Sequence, residues 1–182
     1  MEYKVIAIVG MAGSGKSEVS KVFEESNYRK VRFGDVTDEE VAKRGLELNE
    51  ENERTVRQQL RQEMGMAAYA ILNLPKIDRL LQSGHVVVDG LYSWEEYALM
   101  KEHYGQKLVL VAVWSSPATR YKRLANRTIR PLTGDEGAER DRTEIENSHK
   151  GGPIAMADYT IVNESSVEAL QKQAMTIIEA EA

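Results

Sequence analysis

The chain of 182 residues contains no cysteine, which excludes disulfides, thiol catalysis and cysteine-ligated zinc. Its three histidines, at 85, 103 and 149, are too scattered to suggest a histidine-built metal centre. No apolar run reaches the roughly 18 residues that a membrane-spanning helix needs. No secretory pattern precedes the first apolar run, because Glu2 is acidic and the run leads straight into a glycine-rich turn, so the cytoplasm is the expected compartment. Positive charge is in deficit: 24 Lys and Arg stand against 29 Asp and Glu, a net charge of −5. That balance disfavours sequence-independent binding of nucleic acid, and phosphates fit better as small ligands. No internal repeat or low-complexity segment is present, and a hydrophobic content of 42% with 29% charged residues is ordinary for one globular domain.

The strongest feature is Gly10-Met11-Ala12-Gly13-Ser14-Gly15-Lys16-Ser17, which follows the apolar run Val5-Ile6-Ala7-Ile8-Val9. The spacing G-x-x-x-x-G-K-S defines a phosphate-binding P-loop: glycines let the backbone curl into a nest of N–H groups around a nucleotide's β-phosphate. A helix opening near Lys16 aims its unpaired N–H groups and positive dipole end at the same anion. Lys16 is placed to reach the β- and γ-phosphates, and the Ser17 hydroxyl to ligate a Mg²⁺ ion that keeps most of its waters. ATP and Mg²⁺ are therefore the expected cofactors. The alternative, a glycine-rich turn matching by accident, does not account for the apolar run before it and the helical spacing after it.

Helical spacing of Val19, Val22 and Phe23 predicts a helix over 16–25, followed by a short strand over 30–33. Helices are expected at 36–45, 50–64 and 66–82, with Pro75 kinking or restarting the third. His85 to Asp89 reads as a buried strand and 94–103 as a helix. Lys107 to Trp114 reads as a central strand, and Pro117 as the first residue of a helix to 126. A polar, glycine-punctuated stretch runs from Arg127 to Gly152, then come a strand over 159–162 and an amphipathic helix over 166–181. Alternating strands and helices predict an α/β fold, a three-layer P-loop architecture on a five-stranded parallel sheet with ligands at the carboxyl ends of the strands. The P-loop, Asp35, Asp89 and Ser115-Ser116 all fall at such ends.

Asp89, closing a buried strand, can hold the metal's water shell or orient an acceptor, or simply cap the next turn. Asp35 can accept a hydroxyl proton in catalysis or serve as a helix N-cap. Arg120, Arg123, Arg127 and Arg130 step by three, four and three. On one continuous helix they form a basic stripe within an arc of about 80°. Arg123 and Arg127 are read as catalytic contacts to the nucleotide or transition state, and Arg120 and Arg130 as surface positions. Arg140 and Arg142 can close over phosphates or form plain surface pairs with Glu139, Asp141 and Glu144. Arg54, Arg57 and Arg61 flank the apolar stripe of Val56, Leu60 and Met64, a basic edge able to bind substrate or to remain solvated. Tyr92 can stack on an acceptor or be an ordinary buried tyrosine.

These motifs together resemble the small P-loop kinases that include adenylate kinase, other nucleoside monophosphate kinases and dephospho-coenzyme A kinase, and most closely an adenylate-kinase-related family of poorly defined substrate. The resemblance rests on the P-loop, on Gly34-Asp35, Asp89-Gly90 and Arg123-x3-Arg127, and on the closing segment Ala157 to Asn163. It implies a core of 1–33, 83–126 and 153–182, an acceptor-binding region at 34–82 and a lid at 127–152. It also implies base contacts near Asn163, and no Asn-Lys-x-Asp motif is present to select guanine. Two departures stand out. Asp38 and the sequence Leu91-Tyr92-Ser93 occupy positions where monophosphate kinases carry acceptor-clamping arginines, so Arg54, Arg57 and Arg61 are the residues able to replace them. The expected activity is phosphoryl transfer from Mg-ATP to a nucleotide-like acceptor, a nucleoside monophosphate by resemblance. A dephospho-coenzyme A-like alcohol, or a regulatory NTPase without a small acceptor, remains open, and a nucleic-acid end fits the charge less well.

Overall fold

The computed structural model describes residues 2–128 and 131–182. Arg130, read above as a surface position, lies outside the described residues. Five parallel strands form one sheet in the order β2-β3-β1-β4-β5: β1 Val5–Val9, β2 Arg29–Arg32, β3 Val86–Asp89, β4 Leu108–Trp114 and β5 Tyr159–Val162. The run read as a central strand, β4, lies between β1 and β5, and β1 lies between β3 and β4 with each of its five residues fully buried.

Side-chain alternation divides the core in two. On one face Ile6, Ile8, Val87, Val109, Val111 and Val113 pack against α1 (Lys16–Glu25) through Val19 and Phe23. The same face packs against α9 (Val167–Glu181) through Leu170, Ala174 and Ile177. On the other face Val5, Ala7, Val86, Val88 and Leu110 meet α4 (Ala68–Leu81) through Ile77 and α5 (Trp94–Tyr104) through Met100. Helices α2 (Asp35–Lys43) and α3 (Glu50–Met64) pack on each other and on α4.

Where a helix was expected, the bounds agree with the sequence reading to within a few residues. Pro75 neither kinks the chain into two helices nor restarts it: α4 runs unbroken from Ala68 to Leu81 because Tyr69, Ala70 and Ile77 anchor it on both sides of the proline. Helix α6 (Pro117–Ala125) ends at Ala125, so the four arginines do not share one continuous helix. The polar stretch beyond it contains α7 (Gly134–Glu146), opened by a capping box between Thr133 and Glu136, and the short α8 (Gly151–Ala155). No helix among the described residues is long and apolar enough to cross a membrane.

Candidate active site

The glycine positions of the loop are set by contacts that leave no room for a side chain. Gly10 (φ 155°) lies against the Val113 carbonyl, Gly13 (φ 79°) has the Arg120 carbonyl 2.9 Å from where a Cβ would stand, and Gly15 (φ 100°) meets the Asn163 amide. The curl exposes backbone donors. The N–H groups of Gly13, Gly15, Lys16 and Ser17 have no protein acceptor among the described residues, and the buried Ser14 hydroxyl also lacks a partner. Such a nest, at the start of the ten-residue helix α1, has the free donors and the dipole end that an anion site needs.

The loop donor that does have a side-chain partner is Ala12. Its N–H donates to Glu144 Oε2 at 3.1 Å, across 132 residues, and Lys150 Nζ donates to the same oxygen at 2.8 Å. Arg140 Nε lies 3.3 Å from Glu144 Oε1. Glu144 and Lys150 are 7% and 3% exposed, so Glu144 is not the surface ion-pairing group that the sequence alternative made it. Their mutual charge holds Glu144 below the ordinary carboxylate range against the opposing effect of burial, while burial lowers Lys150. Lys16 Nζ turns back to the carbonyls of Gly10 and Met11, at 2.8 and 3.0 Å. Burial, then the neighbouring Lys150, lower its pKa to about 7, with Glu144 and Asp89 opposing the shift.

Beside this cluster a cavity of about 650 Å³ opens between α2, α3 and α7. Arg54, Arg57, Arg61 and Tyr92 all line it, together with Arg32, Tyr69, Arg140 and Lys150. The Arg61 guanidinium stands 5.7 Å from the Tyr69 ring centroid and has no hydrogen bond or ion pair among the described residues. Arg57 is 3.3 Å from Glu53, and Arg54 is exposed at the rim. Asp38, the acid at the position of a clamping arginine, is neutralised by Arg32 at 3.3 Å. Arg32 thus supplies a cation that the sequence reading did not assign to the site.

Tyr92 folds back over Gly90, and burial raises its pKa to about 12. Lys150 Nζ sits 5.3 Å from its ring centroid. Beneath them lies Glu96, fully buried, whose Oε2 accepts from the N–H groups of Tyr92 and Ser93 at 2.7 and 3.3 Å while Oε1 has no partner. Burial pushes its pKa up to about 7.

The remaining expected residues divide. Asp89 closes β3 beside β1, accepts from Ser20 Oγ at 3.1 Å and lies 3.6 Å from Lys30, both through Oδ2. Its Oδ1 and the exposed Ser17 hydroxyl carry no hydrogen bond to described residues, and such oxygen donors suit Mg²⁺. Asp35 is the first residue of α2 rather than a cap before it, and pairs with Arg32 at 3.3 Å and Lys76 at 4.0 Å. Arg123 donates to Ser115 Oγ and the Asn163 carbonyl, both at 3.0 Å, and lines a second cavity of about 510 Å³ with Thr119, Lys122, Asn126 and Glu164. Asn163 donates to the Ser14 carbonyl at 2.8 Å. Arg127 is exposed beyond the end of α6. Arg120, expected on the surface, is 4% exposed: it donates to the Ala12 carbonyl at 3.2 Å and grips Asp141 with two bonds. Helix α6 turns that side of the stripe inward, against the loop.

A five-stranded parallel sheet whose first strand runs into this loop, with helices on both faces, defines a P-loop kinase-like fold. Residues 6–146 match the family model AAA_18, an AAA domain. The chain belongs to the UPF0200 family: it is 40% identical over 179 residues to the UPF0200 protein of Thermococcus onnurineus, covering 96% of both. Among solved structures, TT1252 from Thermus thermophilus matches with a TM-score of 0.68 at 20% identity, over 100% of this chain and 98% of that one. Shikimate kinase from Bacteroides thetaiotaomicron gives 0.61 at 14% identity, over 97% of both. Dephospho-CoA kinase from Campylobacter jejuni gives 0.57 at 12% identity, over 100% and 99%. At these identities the likeness to solved structures is one of fold.

Proposed function

We propose that the protein is an ATP-dependent phosphotransferase that moves the γ-phosphoryl group of Mg-ATP to a small anionic acceptor. One observation supports this: an N–H nest with a lysine and an arginine-lined cavity meet at Lys150 and Glu144, an arrangement that suits a phosphoryl donor beside an acceptor. Lys16 and the N–H groups of residues 13–17 hold the β- and γ-phosphates. Ser17 and Asp89 hold Mg²⁺, which supplies charge neutralisation on the phosphate oxygens. Arg123, Asn163 and the second cavity take the base side of the nucleotide, with Arg127 closing from the lid. Asp35 or Asp89 orients the acceptor, while Arg54, Arg57, Arg61 and Tyr92 receive it. The core is then 1–33, 83–126 and 153–182, the acceptor region 34–82 and the lid 127–152.

The acceptor is a nucleoside monophosphate by resemblance. Two observations move weight toward an anionic alcohol: Asp38 replaces a clamping arginine, and kinases of shikimate and dephospho-CoA share the fold. A nucleotide-dependent switch is the second reading, favoured by the Glu144 carboxylate seated on the loop. ADP release from Mg-ATP separates the two. Acceptor-stimulated release that falls by orders of magnitude in Lys16→Ala is the kinase result. Slow release indifferent to every acceptor is the switch result, and wild-type release in Lys16→Ala refutes both.

A further inference from the structure

We propose that the Glu144 carboxylate stands where the terminal phosphate of a bound nucleoside triphosphate comes to stand, and that Lys150, handed from one to the other, is a catalytic cation. The proposal rests on the kinase reading above. Glu144 is held by the contacts that a phosphate uses: a P-loop N–H at 3.1 Å, a lysine ammonium at 2.8 Å and an arginine at 3.3 Å. Arg140 is the i,i+4 neighbour of Glu144 on α7, but the N–H comes from the loop and the ammonium from the segment before α8, so two contacts from outside the helix make this a built anion position.

In this state every cation at the loop has a substitute acceptor. Lys16 bonds its own loop carbonyls, while Lys150 and Arg140 bond Glu144. A triphosphate entering the nest brings negative charge to the Ala12 N–H, and two anions cannot share that donor without strong repulsion. The Glu144 side chain turns away from the Ala12 N–H while α7 keeps its Asp141 anchor on Arg120, and Lys150 and Arg140 turn to the phosphate oxygens. Lys150 is the group best placed to follow the reaction, because its buried ammonium lies between the loop and the Tyr92 wall of the acceptor cavity.

The bond from the γ-phosphorus to the β,γ-bridging oxygen breaks as the acceptor oxygen bonds to that phosphorus. ADP leaves with the electron pair, and the acceptor's proton passes to a carboxylate or to water. Lys150 stays protonated and donates to the oxygens on which charge is spread.

Two measurements on the full chain test this. In equilibrium titrations, Glu144→Gln binds Mg-ATP about tenfold more tightly than wild type and binds AMP equally, since only the triphosphate competes with the carboxylate. Glu144→Asp, which keeps the charge but withdraws it by one methylene, gives a smaller gain and covers the case in which Gln perturbs folding, checked by thermal melting. In ADP-release assays at saturating Mg-ATP, Lys150→Met combined with Glu144→Gln turns over about 100-fold more slowly than Glu144→Gln alone. Lys150→Arg retains most turnover. Wild-type ATP affinity in both Glu144 variants, or undiminished turnover in the double variant, overturns the proposal. Lys16→Ala keeps the two levels apart: if it abolishes ADP release while the Lys150 variant does not, this inference alone fails, and if it releases ADP like wild type, the kinase reading fails beneath it.

Discussion

The Arg120 guanidinium and the Asp141 carboxylate form a two-pronged ion pair, Nη1 to Oδ1 at 2.7 Å and Nη2 to Oδ2 at 2.6 Å, that fastens α7 to α6. The same guanidinium donates to the carbonyls of Ser115 and Ala12. One buried cation therefore couples the lid helix to the phosphate loop, and Tyr121 adds a hydroxyl to Asp141 at 2.9 Å.

Removing one member of this pair strands the other. Asp141→Ala is expected to destabilise the fold by about 3–5 kcal/mol in urea unfolding, the usual cost of an uncompensated buried charge. Arg120→Met with Asp141→Leu costs less than Asp141→Ala, because neither product leaves a charge behind.

Arg61 has a different character: its guanidinium stands at the cavity wall beside the Tyr69 ring, with no ion pair among the described residues, and the buried Glu96 is a charge that it acts on. Arg61→Met is expected to leave the melting temperature nearly unchanged. It raises the KM of an anionic acceptor about tenfold or more, the loss of one charge-assisted contact, with the KM of ATP little changed. Steady-state kinetics with the two substrates varied separately check the split.

The depressed pKa of Lys16, about 7, makes nucleotide affinity depend on pH. A phosphate beside the ammonium raises that pKa, so the complex holds more protons than the free protein above pH 7. Mg-ATP affinity then falls as pH rises from about 7 towards the ordinary lysine value, by as much as about tenfold per unit. Titrations at pH 7.5 and 9 check this. Lys16→Arg, which does not titrate there, flattens the profile; Lys150, itself lowered by burial, contributes with the same sign.

Glu96 acts on stability instead. Its folded pKa of about 7 lies above the unfolded value near 4.5, so the folded state holds the extra proton between them. The stability that it contributes is present below about pH 4.5 and is lost as pH rises through 7, a change of about 3 kcal/mol. His85, lowered by burial, opposes this near pH 6, so the comparison of variants is the decisive one. Denaturant unfolding at pH 5 and 8 is expected to show a smaller loss in Glu96→Gln than in wild type, with the variant the more stable at pH 8.

The sheet and the loop were legible because their signals are local. Val5 to Val9 and Leu108 to Trp114 are apolar runs that only a doubly covered strand explains, and the glycine spacing of the loop is demanded by carbonyls and an amide that leave no room for a Cβ. The same locality located Arg57, Arg61 and Tyr92 on the cavity. What stayed hidden depends on pairing across the chain. Glu144 meets Ala12 and Asp141 meets Arg120 through the docking of α7, and in sequence both acids sit among arginines at surface ion-pair spacing. A trace of the docking was present: Gly137 and Glu144, seven residues apart, are the buried positions of α7, and Gly137 gives Tyr121 its place. Arg32 was passed over because strand alternation assigns it to no core face. Its contacts to Asp35 and Asp38, both at 3.3 Å, depend on the turn from β2 into α2.

The most direct test follows the label from γ-phosphate-labelled Mg-ATP in the presence of nucleoside monophosphates, dephospho-CoA and small hydroxy acids, each added singly. A phosphotransferase moves the label to one acceptor class, and that transfer is lost in Lys16→Ala and weakened at the level of acceptor KM in Arg61→Met. Label released only as inorganic phosphate, at a rate that no acceptor changes, contradicts the phosphotransferase assignment.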